Sequence, residues 1–163
     1  MKKERVSFLR LISELDNDIE IMDELMEKHN LLNDKIKHIE PDEFDWASLG
    51  YTIHNIYNLF ENYFLRISKF FENDPNKTSW HRDLVDRMSI EIKGVRPRLF
   101  DRSLAYKINE LRAFRHTFRY IYQSELDIEK LNNLDKKLPE IIKEFTQCHK
   151  LFIENLQKII KAL

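Results

Sequence analysis

Glycine is nearly absent from the chain, with only Gly50 and Gly94 among 163 residues. Phosphate-cradling loops and nucleophile elbows need glycine where backbone approaches a ligand or takes positive φ, so no site of that kind is expected. The four prolines, Pro41, Pro75, Pro97 and Pro139, add few further turn positions, which disfavours hairpins. Cys148 stands alone, which excludes a disulfide within the chain and a cysteine-based zinc site and suits a reducing compartment. His29, His38 and His149 are scattered without metal-ligand spacing, and no metal or cofactor is expected. Long apolar runs are also missing. The start, Met1-Lys2-Lys3-Glu4-Arg5, leads into an acidic segment, so neither a signal peptide nor a membrane span is expected and the chain reads as cytoplasmic.

What remains is helical. With 42% hydrophobic and 34% charged residues the composition is that of a globular protein, and 163 residues suit a single domain, 1–163. Phe8, Ile12, Leu15, Ile19, Met22 and Met26 repeat at spacings of three and four, predicting an amphipathic helix from about 3 to 36. After Pro41, either Asp42 or Asp45 can cap a second helix with an aromatic-rich stripe, Leu49, Ile53, Ile56, Phe60, Phe64, Ile67 and Phe71. That helix is expected to be the most buried. Residues 73–79 read as a loop, with Thr78 or Ser79 capping a short helix that carries Trp80, His81, Leu84, Val85 and Met88.

Ile90 to Phe100 lacks helical spacing and reads as an ordered crossover. Asp101 or Ser103 opens a third long helix through Leu104, Ile108, Leu111, Phe114, Phe118 and Ile121, expected to end near Tyr122. A last seam runs from Ile128 to Ile159, with Pro139 either kinking it or lying in the first turn of its second piece. The expected architecture is an all-α antiparallel four-helix bundle, with a short extra helix and an ordered crossover between helices 2 and 3.

Charge is unevenly spread. Between Lys93 and Arg119 there are eight basic residues and two acids, whereas Ser13 to Lys28 holds seven acids and one lysine. The basic stretch is suited to phosphates; the acidic one either faces water or meets a basic partner.

On the third long helix, at about 100° per residue with Arg112 as zero, Phe114, Phe118, Leu111, Leu104 and Ile108 fall between about 200° and 320°. Arg115, at about 300°, and Tyr122, at about 280°, share that arc, while Arg119, His116 and Tyr120 lie beyond its edge at about 340°, 40° and 80°. A guanidinium on an apolar stripe is costly unless a carboxylate, a phosphate or a wet cleft receives it. An ion pair with Glu61 of the second helix is one solution. A phosphate held jointly with Arg112 and Arg119 is the other.

The string Arg115-His116-Thr117-Phe118-Arg119-Tyr120-Ile121-Tyr122 resembles the Arg-polar-x-x-x-His-x-Tyr signature of HepT-like proteins in the HEPN superfamily. The likeness runs from about Leu49 through Asn155. It includes His54-Asn55-x-Tyr57-Asn58-x-x-Glu61, Trp80-His81-Arg82-Asp83-Leu84 and Gly94-Val95-Arg96-Pro97. The resemblance implies a HepT/MntA-type toxin: a homodimer that cleaves RNA without a metal ion in a cleft formed between its subunits, neutralised by a small nucleotidyltransferase antitoxin.

By position, the resemblance makes Arg115 the electrostatic stabiliser, His116 the polar neighbour and Tyr122 the tyrosine adenylylated by the partner. Arg112 and Arg119 are the phosphate-binding candidates, and Asn55, Glu61 and His81 the supporting ones. His54 and Asn55 are expected to hydrogen-bond within the bundle interior. The chain departs from the signature where Tyr120 stands at the histidine position. A phenol is only roughly 0.1% ionised at neutral pH, so Tyr120 replaces an imidazole base poorly. His116, about 40° around the helix and about 6 Å along it, can take over, with Tyr120 donating to the phosphate. The alternative is a catalytically weak or inactive module that docks a nucleotidyltransferase and is adenylylated, or binds nucleotide or RNA.

Overall fold

The computed structural model describes residues 2–72, 80–121 and 125–163, without the side chains of residues 2–3 and 80–83. These residues form α1 (Lys2–Lys37), α2 (Glu43–Glu72), α3 (Trp80–Met88), α4 (Arg102–Phe118) and α5 (Ile128–Ala162). Among them no strand is present, and the only sheet-like pairing is an isolated bridge between Ile92 and Arg96. The all-α expectation therefore holds.

Directions follow from which residues meet. Arg66, late in α2, pairs with Asp18, midway along α1, while Lys35 at the end of α1 reaches Asp45 at the start of α2. Lys107 and Glu110 of α4 meet Glu144 and Lys137 of α5 in the same inverted order. Neighbouring helices in the ring α1–α2–α4–α5 are thus antiparallel, and α2 and α5 run parallel across the diagonal, where Phe60 meets Phe145 and Tyr63 meets His149.

Asp42 caps α2 by accepting from the amides of Phe44 and Asp45, and the Asp45 carboxylate accepts from the Asp42 amide in return. Both candidate caps are used, as a reciprocal pair of the capping-box kind. Asp101 caps α4 by accepting from the Leu104 amide, and Asp127 caps α5. The expected caps Thr78 and Ser79 lie outside the described residues. Pro139 lies inside the single helix α5, so neither a second helix piece nor a first-turn position applies to it. It withholds the amide that would bond to the Asp135 carbonyl.

As expected, α2 is the buried centre: Leu49, Ile53, Ile56, Tyr57, Phe60, Tyr63, Phe64 and Ile67 are all sealed from solvent. Phe70 and Phe71 are half-buried against Phe8. Two histidine ties join α1, α2 and α5. His29 bonds Thr52 and Asp135, each at 2.7 Å, and His149 bonds Tyr63 at 2.8 Å and Asp16 at 3.0 Å. Desolvation lowers the pKa of His149, and the Asp16 carboxylate works against that shift.

Arg96 belongs to the basic stretch by sequence but is sealed in the crossover. Its guanidinium donates to Glu72 at 2.8 Å, to the Arg87 carbonyl at 2.9 Å and to the Ile90 carbonyl at 3.1 Å. Gly94, at φ +76°, makes the turn that aims it.

Candidate functional site

The site is built where the last two turns of α4 cross α2. Arg115 is 16% exposed and donates from Nε to the Asn58 side-chain oxygen at 2.6 Å, while Nη1 lies 3.5 Å from a Glu61 oxygen. Its guanidinium stands 5.6 Å from the centre of the Tyr57 ring. Tyr57, Asn58 and Glu61 follow one another at helical spacing on α2, so one face of that helix receives the arginine on three sides. Burial, and then the Glu61 carboxylate, push the Tyr57 hydroxyl well above its ordinary range, against the pull of Arg112 and Arg115. Tyr57 is therefore a neutral phenol here.

Arg112 is half-buried one turn earlier and donates to Asn109 at 3.0 Å, which in turn donates to Asp86 of α3 at 3.0 Å. Arg119 and His116 are exposed, and the His116 ring meets the Tyr120 ring edge-on at 5.6 Å. Tyr120 is 46% exposed.

α4 stops at Phe118 rather than near Tyr122. Residues 119–120 form a turn, because the Tyr120 amide bonds the Thr117 carbonyl three residues back and tightens the chain out of α-helix. The 100° spacing therefore does not carry through Tyr120. Tyr122 and the His81 side chain lie outside the described residues.

Gly50 of α2 sets how closely this end approaches. A Cβ there would stand 2.6 Å from Phe118 Cε2 and 3.1 Å from Cδ2. The Phe118 ring is already stacked on Phe114, 5.6 Å away, and leans on His54 at 5.7 Å. Gly50→Ala is expected to lose about 1 kcal/mol net, since overpacking of about 1–3 kcal/mol exceeds the helix-propensity gain of about 1 kcal/mol. A thermal midpoint lower by roughly 2–4 °C is the expected readout, and a rise would contradict the close approach.

Asn58 is the α2 residue that sequence reasoning passed over in favour of Asn55, which is half-buried one position beyond His54. The available signal was a polar face, His54, Asn58 and Glu61, on a helix otherwise rich in apolar residues. Among the clefts of the molecule are four of about 450–1070 Å³; one is lined by Phe114, Thr117 and Phe118 of α4, and Arg115 lines none of these four. Among the described residues no three His, Cys, Asp or Glu side chains converge as a metal site would require, and no helix is long and apolar enough to cross a membrane.

A family model described as HepT-like protein matches residues 48–156. The comparisons with curated proteins and with solved structures gave no match. The matched segment runs from α2 into α5 and contains all of the Arg115 site while leaving out α1. By a match over well more than half its length, the chain belongs to the HepT-like family.

Proposed function

We propose that the protein is a HepT-like toxin that cleaves RNA without a metal ion and is silenced by a nucleotidyltransferase partner. The observation that carries this reading is the placement of Arg115: half-buried, fixed by Asn58 and Glu61, with Arg112 and Arg119 on the neighbouring turns. In the proposed reaction the RNA 2′-hydroxyl attacks the adjacent phosphate, and the guanidinium of Arg115 stabilises the charge that gathers on the phosphorane. Arg112 and Arg119 hold neighbouring phosphates. His116 handles protons, and Tyr120 donates to the phosphate. A second copy of the chain completes the cleft; the open position of the strip, and the exposed Phe44, Tyr51 and Tyr106 on α2 and α4, support a homodimer. Tyr122 is the proposed acceptor of adenylate from the partner.

One observation favours the second reading, a module that docks the nucleotidyltransferase without cutting RNA: Tyr120 stands where the family signature has histidine. Induced expression without the partner separates the two. Growth arrest with RNA fragmentation is expected from the toxin, and intact RNA together with nuclease activity gained only in Tyr120→His would establish the module.

A further inference from the structure

Among the described residues, His54 is an imidazole brought near the arginines of α4 with a ring nitrogen that bonds to nothing. Its Nδ1 is buried and has no hydrogen-bond partner, whereas His29 and His149 are both tied on two sides. A buried nitrogen left unsatisfied is an uncompensated cost, and it calls for an explanation other than bundle stability. This corrects the expectation that His54 hydrogen-bonds within the interior.

Its position supplies one. His54, Tyr57, Asn58 and Glu61 share one face of α2, and Asn58, about 6 Å further along the axis, is the residue that holds Arg115. Because α4 runs antiparallel to α2, His54 lies toward the end of α4, and its ring rests against Phe118 at 5.7 Å. The ring is half-buried, so part of it reaches solvent. The charged groups that act on it come from both helices: Arg115 and Arg119 from α4, and Glu61 from α2.

We propose that His54 is the general base of this site, supplying from α2 the imidazole that position 120 lacks on α4. The proposal rests on the RNA-cleaving reading above. His54 takes the proton of the RNA 2′-hydroxyl on Nε2, since Nδ1 is buried, as that oxygen bonds to the adjacent phosphorus. The bond from phosphorus to the 5′-oxygen of the next nucleotide breaks, and that oxygen takes a proton from His116. The products are a 2′,3′-cyclic phosphate and a 5′-hydroxyl end. Desolvation, and then the Arg115 and Arg119 charges, lower the pKa of His54, with Glu61 opposing. The neutral, proton-accepting form therefore persists to lower pH than for an ordinary histidine.

Single-turnover cleavage of a short single-stranded RNA by the full chain tests the assignment, using wild type, His54→Ala and His54→Gln. Both variants are expected to lose roughly 10² to 10⁴ in rate. RNA binding, followed by fluorescence anisotropy, should stay close to wild type. The wild-type rate should rise with pH through a value below the ordinary histidine range of about 6.5 and fall again at higher pH where the general acid is lost, and the rising limb should vanish in His54→Gln. Free imidazole should restore part of the His54→Ala rate. Variants that cut at the wild-type rate, or keep the pH limb, overturn the role of His54 while leaving RNA cleavage standing. A wild-type chain that leaves RNA intact removes the cleavage reading itself.

Discussion

Replacing Arg115 with alanine is expected to lower the proposed RNA cleavage by roughly 10³-fold or more, the range seen when an arginine that stabilises phosphoryl-transfer charge is removed. The size of the effect comes from placement. Asn58 and Glu61 hold the guanidinium before any substrate arrives, so its orientation is not assembled at the moment of reaction. Arg115→Lys should recover little, because a single ammonium cannot keep the Asn58 and Glu61 contacts and also present a second donor to the phosphate. Binding should behave differently. Losing one phosphate contact flattens the dependence of log affinity on log salt by about 0.7 for a single strand, and Arg112→Ala and Arg119→Ala should each do the same. Arg115→Ala that weakens binding and cleavage in equal proportion would place the residue among ordinary phosphate contacts.

The second large effect concerns stability. Arg96→Ala is expected to destabilise the fold by about 3–5 kcal/mol, since it removes the fully buried one of the two arginines that pair with the Glu72 carboxylate and leaves Arg87 alone with it. It also strips donors from the Arg87 and Ile90 carbonyls. The side chain is 0% exposed, so water does not replace what is lost. Against a typical total of about 5–15 kcal/mol this is a large share, and it should appear as a thermal midpoint lower by on the order of 10 °C. Replacing Glu72 by leucine in the same chain should recover part of the loss, because the buried carboxylate left with Arg87 as its one arginine is then gone. Denaturant unfolding of the single and double variants checks this. An Arg96→Ala chain as stable as wild type would show that the crossover is held by other means.

Arg96 and Arg115 also show where sequence reading reaches its limit. Both stand in the same basic stretch, yet one is a structural tie at the crossover and the other a member of the arginine strip. Side-chain type cannot separate them; only the carbonyls and carboxylates that the fold brings to each can do so. The five helices, the caps offered among Asp42 and Asp45 for α2 and among Asp101 and Ser103 for α4, and the dominance of α2 were legible because periodicity and capping are local properties of the chain. Glu61 was legible as the partner of Arg115 because it is the acid on the polar face of α2. Asn58 was not, since choosing between Asn55 and Asn58 needs the register of α4 against α2. The end of α4 was placed too late for a related reason: Phe118 and Ile121 continue the apolar repeat while the backbone has already tightened at Tyr120.

That early stop has a consequence for the path of a nucleic acid. The last carbonyls of a helix gather a partial negative charge of roughly half an electron at its C-terminal end. Arg115 and His116 lie on the final turn of α4, where this charge favours cations and turns away an anion approaching along the axis. A phosphate must therefore come in from the flank, toward the guanidinium tips. In the proposed cleft an RNA strand crosses α4 at an angle instead of running onto its end.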